Sequence, residues 1–165
     1  MKQIIKQRQI VADDWQHLDE DADPAQLPAA KLIVPLAFWR EHRDSLAQHQ
    51  APLALKLEPD DDVDAIPPQL SRFAMVVLQF PSFRDGRAYS QARMLRLHHG
   101  YEGDIRASGN VLRDQLMYME RVGFTSFEVD SKQAVNEALK AFDEIKVKYQ
   151  ACSDEPLPLY KRRTA

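Results

Sequence analysis

The sequence predicts a single α/β domain of about five βα units around a mainly parallel sheet, either half-barrel-like or doubly wound. Three observations carry this expectation. From Lys31 onward, short apolar runs alternate with helix-period segments, the pattern of repeated βα units rather than of hairpins. Five such units fit between residues 31 and 149. A chain of 165 residues that is 44% hydrophobic can build one core but hardly two.

Taken in order, the first 30 residues read as an N-terminal strand, Ile4 to Val11, and an acidic, proline-containing surface segment. The α/β domain spans residues 31–149. Its strands are expected at Lys31–Pro35, Leu53–Leu57, Met75–Phe80, Asp104–Ala107 and Ser126–Val129. Helices fill the intervals at Trp39–His49, Asp61–Phe73 (interrupted by Pro67-Pro68), Tyr89–His99, Val111–Val122 and Lys132–Lys148. Gly100 stands where a helix C-cap is wanted, and Asp130 or Ser131 caps the last helix. Residues 150–165, with Pro156, Pro158 and a basic end, read as a frayed tail.

Composition excludes several classes of function. The net charge is −3 and the pI near 5.9, so the whole molecule has no attraction for nucleic acid or an anionic membrane. No segment approaches the roughly 20 apolar residues of a membrane helix, and a cytoplasmic location is expected. The single cysteine, Cys152, provides no internal disulfide and no cysteine-rich metal site. The adjacent pair His98 and His99 cannot chelate jointly from a helix, and no metal ligand set is expected. Neither GxGxxG nor GxxxxGK[ST] occurs.

In either topology every loop after a strand lies at the C-terminal edge of the sheet, where α/β domains place ligands. Residues 80–127 hold seven arginines and all five glycines, which makes that edge the place to look. The loop Ser82-Phe83-Arg84-Asp85-Gly86-Arg87 turns sharply and enters a helix, so Arg84 and Arg87 are anion-binding candidates. Arg106 and Asn110 join them. A buried Arg106 requires a carboxylate, with Asp85, Glu58 and Asp114 as the expected partners. Asp85 and Tyr89 are the candidate proton-handling residues, and Arg93, Asp114 and Gln115 a supporting polar network.

The runs FRDGRAYSQARMLR, GYEGDIRASGNVLRDQL and RVGF resemble a bacterial family of uncharacterised proteins often encoded beside assimilatory sulfite-reduction genes, some labelled predicted oxidoreductases. The resemblance covers about residues 34–142. It points to Asp85, Arg87, Tyr89, Arg93, Arg106, Asp114, Gln115 and Arg121 among the polar positions. It implies an accessory role in sulfate or sulfite reduction, with sulfite reductase or its electron donor as partner. Two other readings stand beside it. One is an enzyme that binds a small oxyanion through Arg87 and Arg106. The other is a structural homo-oligomer associating through Phe38-Trp39 and Phe80 to Phe83. No cofactor is indicated by motif. A flavin stays open, because flavin sites have no single compact signature.

Overall fold

The computed structural model describes residues 2–66, 69–129 and 135–163. Its strands are β1 (Gln3–Lys6), β2 (Gln9–Ala12), β3 (Trp15–His17), β4 (Lys31–Pro35), β5 (Leu53–Leu57), β6 (Met75–Phe80), β7 (Asp104–Gly109) and β8 (Ser126–Phe127). They form one sheet in the order β2-β1-β8-β7-β6-β5-β4-β3. From β3 to β8 every strand is parallel to its neighbour, and β1 runs antiparallel to β2 and β8.

That order selects one of the two expected topologies. A doubly wound sheet reverses its strand order part-way, whereas here each strand from β3 to β8 pairs with its successor in the chain. Right-handed crossovers then put the connecting helices on one face, as in a half-barrel. The two outermost strands, β2 and β3, are also consecutive, separated only by Asp13-Asp14. Eight strands laid flat span about 34 Å at 4.8 Å per gap, while the step from Ala12 to Trp15 reaches at most roughly 10 Å. The sheet therefore curls until its two ends come together.

Alternation along the strands supplies two buried faces. Leu32, Val34, Leu55, Leu57, Val76, Leu78, Phe80, Ile105, Ala107 and Phe127 form the larger cluster, under the helices. Ile33, Ala54, Met75 and Val77 form the inner cluster, with Trp15 packed against it. On β7 the inward positions are Arg106 and Ser108 instead of apolar residues, so the sheet's interior is apolar on one side and charged on the other.

The helices are α1 (Leu36–Glu41), α2 (Arg43–Ala47), α3 (Arg87–Leu97), α4 (Leu116–Val122), α5 (Val135–Leu139) and α6 (Leu159–Arg162). The expected Trp39–His49 helix is broken at His42, whose ψ of 35° is not helical. The Asp61–Phe73 helix is replaced by two 3-10 turns, Val63–Ala65 and Gln69–Arg72, on either side of the helix-breaking Pro67-Pro68 sequence. Gly100 ends α3 with φ +60°, as its position predicts. Within the expected Lys132–Lys148 helix, α5 closes with a 3-10 turn at Lys140–Asp143. Beyond it the β-branched Ile145 and Val147 alternate with charged residues and are exposed, and the helix expected to reach Lys148 does not continue. Asp130 to Ala134, including the expected cap, lie outside the described residues.

Two expectations at the ends of the chain are corrected. Ile4 to Val11 is not one strand but the β1–β2 hairpin, turned at Gln7 and Arg8 with φ of 49° and 60°. The C-terminal stretch is not frayed over its described part. Arg121 donates to the Gln150 carbonyl, Ser153 N–H donates to the Arg121 carbonyl at 3.1 Å, and Asp154 pairs with Arg121 and Lys148.

At the top of β7, Gly109 has φ +95°, and a Cβ there would lie 2.4 Å from the Phe80 carbonyl oxygen. Gly109→Ala is expected to lower stability by about 1–3 kcal/mol through backbone strain, read as a lower urea midpoint with unchanged slope.

Candidate functional site

The chemistry-bearing side chains divide among three places. At the C-terminal rim, α3 starts directly after the loop that follows β6. Asp85 accepts the Arg87 backbone N–H at 3.2 Å, and the Arg87 fork closes on the same carboxylate, Nε to Oδ1 at 3.0 Å and Nη2 to Oδ2 at 2.6 Å. Asp60, from the loop after β5, takes the other arm. The hydrogen bond from Arg87 and its charge hold the Asp85 carboxyl below its usual range, and Asp85 in turn raises the guanidinium. Asp85 is thus a committed anion, and Arg87, though half-exposed, already bonds two carboxylates.

Tyr89 is packing material at this rim. Its ring lies 5.2 Å from Phe80 and 5.3 Å from Tyr118, and burial pushes its hydroxyl up to about 12. It keeps its proton at neutral pH and cannot act there as a base. Gln91 was not expected in the site, yet it ties α3 to the β5 loop by donating Nε2–H to the carbonyls of Glu58 (2.9 Å) and Asp61 (3.0 Å). Asn110 donates its backbone N–H to the Phe80 carbonyl at 2.8 Å. Gln115 receives the Leu112 N–H at 3.1 Å, capping the turn that leads into α4. Asp114 is exposed. Arg84 and Arg93 are exposed too, with no ion pair to either guanidinium among the described residues.

Arg106 is not at this rim, and none of its three expected partners meets it. It points inside the curled sheet, 1% exposed, and its Nη1 donates to Asp13 Oδ1 at 3.0 Å and Glu128 Oε1 at 3.3 Å. Ser108 Oγ and Lys2 Nζ donate to Glu128 Oε2 at 3.0 and 2.7 Å, and His17 Nε2 stands 3.5 Å from Oε1. Burial alone would raise Glu128. The hydrogen bonds and charges of His17 and Lys2 outweigh it and bring the carboxyl down to about 2. Asp13 receives the Trp15 N–H as well, so the residue linking β2 to β3 is fastened to both its own loop and β7.

The third place is a cavity of about 750 Å³ at the opposite, N-terminal edge, between the β1–β2 turn and the ends of α3 and α4. Arg96 lies along its wall and donates to the carbonyls of Gly123, Tyr101 and Gly103. A Cβ on Gly123 would come 2.5 Å from Arg96 Cγ, which explains a glycine there. Burial lowers the Arg96 pKa from its ordinary value. The guanidinium ties the carbonyl end of α4 to the loop that follows α3, a structural role that its place in the last turn of α3 makes legible afterwards. His99 pairs with Asp64 at 2.8 Å, and among the described residues no group of three His, Cys, Asp or Glu is arranged to hold a metal.

The model of a family described as "Bacterial protein of unknown function (DUF934)" matches residues 54–160, well over half of the chain, and the chain belongs to that family. No curated protein matches it.

The Glu128 cluster sets an acid limit on stability. Its folded pKa of about 2 lies below the ordinary 4.5, so its contribution is present above pH 4.5 and is lost as pH falls toward 2. At about 1.4 kcal/mol per unit, the total loss is about 3 kcal/mol. Urea unfolding from pH 6 to 2.5 should show it, and Glu128→Gln should flatten that part of the profile.

Proposed function

We propose that this member of the family is a cytoplasmic accessory protein of assimilatory sulfite reduction that docks sulfite reductase or its electron donor. The link to sulfite reduction rests on the family resemblance of the FRDGRAYSQARMLR and GYEGDIRASGNVLRDQL runs. One observation carries the docking reading. Side chains suited to chemistry are engaged with one another, whereas aromatic and cationic side chains around α3 and α4 face outward.

Phe83 and Tyr118 are 54% and 51% exposed. Tyr118 packs against Tyr89, and Arg93 follows Tyr89 by four residues on the same face of α3. Arg84 extends from the adjoining rim loop. Exposed tyrosine beside arginine is the composition of interface hot spots. Unpaired guanidiniums suit an acidic partner surface, which they would steer and orient. A catalytic oxyanion site built on Arg87 and Arg106 has less support, because both guanidiniums are held by carboxylates and the two lie in different places. Self-association through Phe38-Trp39 has less support as well, since Phe38, Trp39 and Phe80 are buried and, of the aromatic residues in those features, Phe83 alone is exposed.

No helix among the described residues is long and apolar enough to cross a membrane. Purified sulfite reductase and its electron donor should each be titrated against the protein by interferometry. Binding to one of them, weakened about tenfold or more by Tyr118→Ala or Arg93→Glu, is the expected result. Binding to neither, or binding untouched by both substitutions, contradicts the proposal.

A further inference from the structure

We propose that a small pocket at the N-terminal edge of the sheet, between α2 and the segments leading into β5 and β6, binds a small, multiply charged oxyanion of the sulfate or phosphate type. The pocket encloses about 290 Å³, the lower end of the roughly 300–1,000 Å³ found for small-molecule sites. Arg43, Arg72 and His49 line it, and its wall contains no aspartate or glutamate. That is unusual in a chain with net charge −3. Arg8, Arg87, Arg106 and Arg121 lie against carboxylates, whereas among the described residues Arg43 and Arg72, like Arg84 and Arg93, have no ion pair.

Arg43 is held through its side chain and Arg72 is placed by its backbone, and both residues are exposed. The Arg43 guanidinium stacks over the Trp39 ring at 4.4 Å, and that ring is itself buried edge-on against Phe73 at 5.6 Å. Stacking fixes the plane of the guanidinium and leaves its N–H edge for a ligand. Arg72 closes the Gln69–Arg72 turn. The residues after it are anchored, Phe73 N–H to the Leu70 carbonyl at 3.1 Å and Ala74 N–H to the Leu53 carbonyl at 2.9 Å. His49 is tethered through Nε2 to the Ala30 carbonyl at 2.9 Å. Leu46, Leu53 and Phe73 form the apolar part of the wall, and Gln50 adds a polar side chain to it.

Two guanidiniums, one of them fixed by its stack on Trp39, and no competing carboxylate select a tetrahedral oxyanion over a neutral or cationic ligand. The site is at the sheet edge opposite Arg84 and Arg93, and the inference does not depend on the docking reading.

Calorimetric titrations with sodium sulfate, sodium phosphate and AMP, at ionic strength held constant with sodium chloride, test it. Sulfate or phosphate should bind one site saturably with a Kd of about 1 mM or tighter. Arg72→Gln and Arg43→Gln should each weaken binding by about tenfold or more. Arg40→Gln, which removes an exposed arginine outside the pocket, should leave it unchanged. Tighter binding of AMP than of phosphate, lost in the same two variants, would assign the oxyanion to a nucleotide. Non-saturable heats, or equal weakening by Arg40→Gln, would overturn the proposal, and Arg72→Gln keeps the test intact if Arg43→Gln unfolds with its stack.

Discussion

Arg106, held between Asp13 and Glu128 inside the sheet, is the interaction on which the rest of the structure depends. An ionised arginine taken out of water costs several kcal/mol and is tolerated only when paired and hydrogen-bonded. Its two carboxylates come from the linker between β2 and β3 and from the residue following β8. One guanidinium thus joins the middle of the sheet to the point where its two ends meet. Removing a single partner would leave a buried charge uncompensated, so the pair specifies how far the sheet curls as well as contributing to stability.

This placement separates the molecule into regions with distinct physical roles. The interior carboxylate is well supplied, since Ser108, Lys2 and His17 add their donors and positive charge to Glu128, while Arg106 Nε is buried without a partner. The C-terminal rim is tied together by the Arg87–Asp85–Asp60 cluster and by Gln91. What remains for other molecules is peripheral: the aromatic and cationic face of α3 and α4, and the arginine pocket beside α2. A protein whose polar interior is spent on its own closure can still present a rigid surface and a charged pocket.

Much of the fold was legible because β4 to β7 are apolar runs separated by segments with helical period, and parallel strands buried on both faces read that way. The β1–β2 hairpin was not legible, because Gln7-Arg8 lacks the Asn-Gly or Gly signal that left-handed turn residues usually provide. β3 was hidden within an acidic segment, where three residues suffice once β4 provides an edge. The need for a carboxylate beside a buried Arg106 was read correctly. The identity of Asp13 was not, since a contact across 93 residues leaves no local trace. Asp85 and Arg87 do meet, but in a mutual pair. Gln115 caps a turn, and Arg96, which nothing in the local pattern distinguished, ties the end of α4 to the loop after α3.

The account stands on Arg106 being a structural closure residue rather than a ligand-binding one. A double-mutant cycle of Asp13→Asn and Arg106→Gln, followed by urea unfolding at neutral pH, tests this most directly. A coupling energy above about 1.5 kcal/mol between positions so distant in sequence is the predicted result. Additivity within about 0.5 kcal/mol would contradict it, because the two side chains would then not be holding the sheet ends together.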